Sequence, residues 1–153
     1  MFFGMTPFGW AKPVPVNPAR FKKYRMGSFW VAFAGPGANI IISILSSFLF
    51  VLITLKMPET ISFKEALVQM LRYSILINLV LAVFNLIPFP PLDGSKMVMA
   101  YLDYNAARKY EELQRFTFIF FILLWTTNIF SYLLRPVFAL SDLITGLFFM
   151  LLN

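Results

Sequence analysis

Three stretches of this 153-residue chain contain no Asp, Glu, Lys or Arg: Met26 to Leu55, Tyr73 to Leu92 and Phe116 to Leu134, which hold 30, 20 and 19 residues. A helix rises about 1.5 Å per residue and the hydrocarbon core of a bilayer is about 30 Å thick, so each stretch is long enough for a membrane helix. Composition agrees, with 59% apolar and only 13% charged residues, against about 25% charged in an ordinary soluble domain. A soluble fold could not bury so much apolar surface. The fold class is therefore an all-α integral membrane protein with three to four transmembrane helices.

Two absences narrow the chemistry. The chain has no Cys and no His, which excludes disulfide frameworks, thiolate metal sites, a zinc site with histidine ligands of its own and the commonest general base. The formal charge of +6 does not indicate a nucleic-acid partner. The basic residues are few and sit between apolar runs, where the positive-inside rule accounts for them. The N-terminus, Met-Phe-Phe-Gly-Met-Thr-Pro, lacks the charged start and apolar core of a secretory signal and begins abruptly, as a fragment would.

Along the chain, residues 1–25 form a loop or edge segment punctuated by Pro7, Pro13, Pro15 and Pro18, since proline's fixed φ and missing N–H oppose regular helix. The alternation in Lys12 to Pro18 suits a short edge strand. Four cations between Arg20 and Arg25 predict a cytoplasmic start to the first span, 29–55. That span carries Ser28, Ala32, Gly35, Asn39, Ser43 and Ser46 on one face, small residues that permit close helix contact. The balanced loop Lys56 to Glu65 fits the outer side. A second span, 66–87, repeats the design with Ser74, Asn78, Ala82 and Asn85, a face expected to turn toward protein or water. Lys96 to Arg115 is the most polar stretch and returns to the cytoplasmic side. A third span covers 115–134, and the apolar piece 136–152 either spans as a fourth helix or dips in as a re-entrant segment. One membrane domain, 1–153, results.

The most informative string is Phe84-Asn85-Leu86-Ile87-Pro88-Phe89-Pro90-Pro91-Leu92-Asp93-Gly94 at the end of the second span. Its prolines stop the helix and leave backbone groups without helical partners, which hydrocarbon tolerates only where the segment is buried in protein or lines a wet cavity. A carboxylate beside such a break is a functional candidate, Asp93. The competing reading is a helix that ends at the interface with Asp-Gly in an ordinary turn. Asn85, likewise, is either a functional amide or an interhelical hydrogen-bonding residue.

This string resembles the Asn-x-x-Pro-x-Pro-Pro-Leu-Asp-Gly signature of the site-2 protease family, zinc metalloproteases that cut substrates within or next to the membrane. Gly9 to Pro18 resembles that family's loop upstream of the first of these helices, and Ala34-Gly35-Pro36-Gly37-Ala38-Asn39 resembles its Ala-Gly-Pro-x-x-Asn helix, in matching order. The resemblance covers about Phe8 to Asp103. It implies that Asp93 is the third zinc ligand, leaving the fourth position for a water whose pKa the metal lowers. It implies that Asn85 orients substrate or steadies the oxyanion, and that Gly9 to Pro18 offers an edge to an unwound segment of substrate. The partners implied are membrane-anchored protein substrates in the lipid bilayer. The family's remaining ligands and general base come from a His-Glu-x-x-His helix that precedes these motifs. With no histidine present, the chain reads as the C-terminal portion of a longer zinc metalloendopeptidase, inactive alone, whose Zn2+ is held only together with a missing N-terminal portion. The alternative is a non-catalytic membrane scaffold or regulatory protein built on the same fold. A bacterial cytoplasmic membrane, with the N-terminus in the cytoplasm, is the expected location.

Overall fold

The computed structural model describes residues 24–153, and over these every regular element is helical. The proline-rich entry, with the edge strand expected at Lys12 to Pro18, lies outside the described residues. The order is α1 (Tyr24–Lys56), α2 (Lys64–Asn85), α3 (Asp93–Met99), α4 (Tyr104–Glu111), a 3-10 turn (Glu112–Phe116), α5 (Thr117–Thr126) and α6 (Ile129–Leu152). α1, α2 and α6 are long and apolar enough to cross a membrane. The chain is an all-α membrane protein, and large apolar side chains such as Trp30, Ile41, Leu45, Ile77 and Leu147 are exposed on these helices, as lipid-facing surface requires.

α1 and α2 pack along the stripes of small and polar residues. Ser43 and Ser47 are fully buried and Ala82 is nearly so. Ser46 Oγ lies 2.8 Å from Ser74 Oγ, and Ser43 Oγ donates to the Ile75 carbonyl at 3.4 Å. Asn78 Nδ2 donates to Ser74 O at 2.8 Å. Hydroxyls that would be unsatisfied against lipid thus bond helix to helix, contacts that contribute about 0.6 kcal/mol each in membrane proteins. α6 closes the bundle, its Val137 fully buried in a core with Phe50, Val51, Leu71, Ile75 and Leu79.

The α1–α2 connection is tied by a side chain that is rarely buried. Lys64 is 7% exposed. Its Nζ donates to Met57 O at 2.7 Å and Thr54 O at 3.3 Å, and pairs with Glu59 Oε1 at 2.5 Å. The last carbonyls of a helix lack intrahelical donors and carry partial negative charge, so a cation there satisfies both needs.

The helices after residue 115 divide differently from the spans read off the sequence. In place of 115–134 followed by 136–152, a ten-residue α5 stops at Thr126 and α6 then runs unbroken for 24 residues through Pro136. The break falls at Thr127. Thr126 Oγ1 and Thr127 Oγ1 bond back to Ile122 O and Leu123 O at 2.8 and 2.5 Å, and Thr127 turns extended (φ −99°, ψ 161°). The same hydroxyl bonds to the preceding turn occur at Thr54 and Thr145 inside unbroken helices, so it is the extended backbone of Thr127 that marks the end of α5.

Candidate active site

α2 ends at Asn85, and residues 86–92 form a compact bend. Turn bonds close it: Ile87 N to Phe84 O at 3.1 Å, Phe89 N to Ile87 O at 2.8 Å, Leu92 N to Phe89 O at 2.9 Å. The carbonyls that the prolines free from helical pairing find donors on the polar segment that follows. Tyr110 Oη donates to Pro88 O, and Thr117 Oγ1 donates to Pro90 O at 3.2 Å. Phe89 stacks on Phe120 with ring centroids 4.1 Å apart, and Phe84 on Phe121 at 5.9 Å. The bend is therefore braced by α4 and α5.

Asp93 is the first residue of α3, whose N-cap is Leu92; its carboxylate does not cap that helix. Oδ1 pairs with Lys96 Nζ at 2.8 Å, and the Asp93 side chain is 29% exposed. Oδ2 faces α1, where a Cβ built on Gly35 would lie 3.1 Å away. Gly35 itself is exposed. The missing side chain at position 35 thus brings two sequence motifs, 58 residues apart, into contact at one carboxylate oxygen. Pro36, beside it, is fully buried. Gly35 is a close-packing point.

Gly94 explains why the acid is followed by glycine. A Cβ there would meet Leu86 O at 2.4 Å, Ile87 O at 2.5 Å and Leu86 C at 2.6 Å, all backbone atoms of the bend. Asp93-Gly94 is thus the first turn of a helix pressed against the end of α2. Asn85 stands half-buried at the other side of the bend and makes no side-chain hydrogen bond among the described residues. The loop Gly9 to Pro18 lies outside them.

Sequence reasoning missed the bracing residues. Tyr110 is 22 residues from the carbonyl it serves, and no motif covers it. Burial raises its pKa, since the phenolate would lose water. The sign is fixed: a group whose folded pKa is raised contributes stability that is fully present below its ordinary value near 10 and is lost as pH rises through the folded pKa. Tyr110→Phe is expected to cost about 1 kcal/mol and to leave an alkaline unfolding profile without the Tyr110 step, as read by thermal melts between pH 8 and 11. An unchanged melting temperature would show that the brace does not hold the bend.

The described residues thus form a helical membrane protein with a carboxylate held after a proline-closed bend, beside a glycine of the neighbouring span. Residues 53–126 match the sequence profile of peptidase family M50, the site-2 protease family. Over 131 residues the chain is 38% identical to YwhC of Bacillus subtilis, covering 85% of this chain and 60% of YwhC. Over 102 residues it is 31% identical to Rip3 of Mycobacterium tuberculosis, covering 67% of this chain and 22% of Rip3. Both relatives are provisionally named zinc metalloproteases. The chain is a relative of the site-2 protease family, and it spans about 60% or less of the length of these relatives. No solved structure matches.

Proposed function

We propose that this chain forms the Asp93-bearing part of a site-2-protease-like zinc metalloendopeptidase acting on membrane-anchored protein substrates. The observation that carries the reading is the seating of Asp93, with one oxygen directed at Gly35 and neither oxygen used to cap α3. Asn85, across the same bend, is the amide that would orient substrate or its oxyanion. The residues present do not by themselves fit zinc. Among the described residues no three His, Cys, Asp or Glu come together, one Asp93 oxygen is paired with Lys96, and the chain has no His. The two imidazoles of the family's zinc set would have to reach the exposed Gly35 side of Asp93 from outside this sequence, with the Lys96 pair opened.

That ion pair also supports a second reading, a non-catalytic scaffold in which Lys96 permanently satisfies Asp93. Metal analysis of the protein purified with a His-Glu-x-x-His segment present separates the two. One zinc per protein, lost in Asp93→Ala, supports the protease; absence of bound zinc supports the scaffold. We further place the protein in a bacterial cytoplasmic membrane with α4 in the cytoplasm, because Lys96 to Arg115 collects four cations next to the spans. A cysteine substituted for Lys109 should react with an impermeant maleimide only in inverted vesicles; reaction in intact cells would reverse the orientation.

A further inference from the structure

Three charged side chains lie more than one turn inside the spanning helices; Arg135 on α6 rests over the Tyr132 ring, 4.5 Å from its centroid, which leaves Arg72 on α2 and Asp142 on α6. Both line a single cavity of about 350 Å³ between α1, α2 and α6, together with Phe50, Thr54, Ser141 and Thr145. The ion pairs among the described residues are Lys64–Glu59 and Lys96–Asp93, so Arg72 and Asp142 face the same space without touching each other. The neighbouring hydroxyls do not answer them. Thr54 Oγ1 bonds Phe50 O and Thr145 Oγ1 bonds Ser141 O, both at 2.7 Å. The Arg72 guanidinium rests 5.6 Å from the Phe50 ring centroid.

Charges in a membrane segment are costly unless paired or hydrated. A simple anion at Arg72 would meet the Asp142 carboxylate, and a simple cation at Asp142 would meet the guanidinium. The complementary occupant carries both signs in one molecule. Depth narrows it further. Arg72 is eight residues into α2, roughly 12 Å from its start, and helical side chains slant toward the N-terminus. The guanidinium is thus within reach of the Lys64 end of α2, the end nearest to lipid headgroups when α2 spans a bilayer. Thr54, whose carbonyl accepts from Lys64, forms the same wall.

We propose that this cavity binds the headgroup of a zwitterionic phospholipid with a primary ammonium. Its phosphate sits on Arg72 and its ammonium on Asp142, while the acyl chains run down the exposed apolar faces of α1 and α6. A trimethylated ammonium cannot donate hydrogen bonds to Asp142, and a headgroup lacking the ammonium leaves that carboxylate unpaired. This site is independent of the proteolytic reading.

Native mass spectrometry of the purified protein tests it, using phosphatidylethanolamine, phosphatidylcholine and phosphatidylglycerol with identical acyl chains. The expected result is retention of phosphatidylethanolamine about tenfold above the other two, the scale of one lost charge-assisted contact. Asp142→Asn should erase the preference, and Arg72→Gln should lower retention of all three lipids, each with helical content unchanged. Should Arg72→Gln fail to fold, Arg72→Lys, which keeps a cation for the phosphate, should fold and retain the preference. Equal retention of the three lipids, or a preference that survives Asp142→Asn, overturns the proposal. So does a double exchange, Arg72→Asp with Asp142→Arg, that restores wild-type melting without any lipid preference, because that outcome identifies a direct ion pair. Displacement of the lipid by soluble glycerophosphoethanolamine at equal concentration would likewise overturn the assignment to a membrane lipid.

Discussion

Asp93→Ala, introduced into the protein together with its histidine-bearing segment, is expected to lower cleavage of a membrane-anchored model substrate by more than about a hundredfold, beyond what loss of an outer-shell partner causes. The same change should release zinc. Alanine removes the oxygen donor and at the same time frees Lys96 from its 2.8 Å pair. That pair is exposed, and losing it should cost under about 1 kcal/mol, so folding is not the cause of the lost activity. Asp93→Glu is an equally sharp test. An extra methylene displaces the carboxylate from its present seat beside Gly35, so glutamate should fail despite its chemistry. Cleavage at the wild-type rate by Asp93→Ala would remove the carboxylate from the mechanism and leave the scaffold reading in its place. The measurement is a time course of substrate cleavage alongside zinc content and a melting curve.

The second large effect is expected at Gly94. A methyl group there would lie 2.4 to 2.6 Å from the Leu86 and Ile87 backbone, and that backbone cannot retreat, because its bend is held by Tyr110 and Thr117. Overpacking against fixed atoms costs about 1–3 kcal/mol. Gly94→Ala should therefore lower the melting temperature, open residues 86–92 to limited proteolysis and displace Asp93, with loss of metal as a consequence. Gly146→Ala is the matched control. Nothing lies within 4 Å of its added Cβ, and in the interior of α6 alanine should be neutral or stabilising by up to about 1 kcal/mol. Equal stability of the two variants would show that α3 does not press on the end of α2 as described.

Much of this arrangement is legible in the sequence. The first uncharged run coincides with α1 to within two residues at each end, because hydrocarbon imposes length and apolarity together, whereas the second begins inside α2, after Arg72, and runs on through the bend. Stripes of Ser, Ala and Asn mark the faces that meet, because unsatisfied hydroxyls cannot face lipid. The prolines locate the bend. Other features depend on contacts that no local pattern encodes. The division of α5 from α6 falls at Thr127, which turns extended inside a run that composition alone reads as continuous. Burial of Lys64 requires carbonyls from the end of the preceding helix. Tyr110 sits in a polar stretch that resembles any surface helix until Pro88 O is seen to accept from it. Arg72 and Asp142, 70 residues apart, share a cavity only because α6 packs on α1 and α2.

The contact between Gly35 and Asp93 ties two distant positions into a single steric decision. Whatever volume a substitution adds on α1 at position 35 is subtracted from the freedom of the acid across from it. A methyl group at position 35 would require that carboxylate to shift by a few tenths of an ångström. Sequences that keep an aspartate after the proline bend should also keep a residue without a side chain on the facing helix turn, and those that lose one should be found to have released the other.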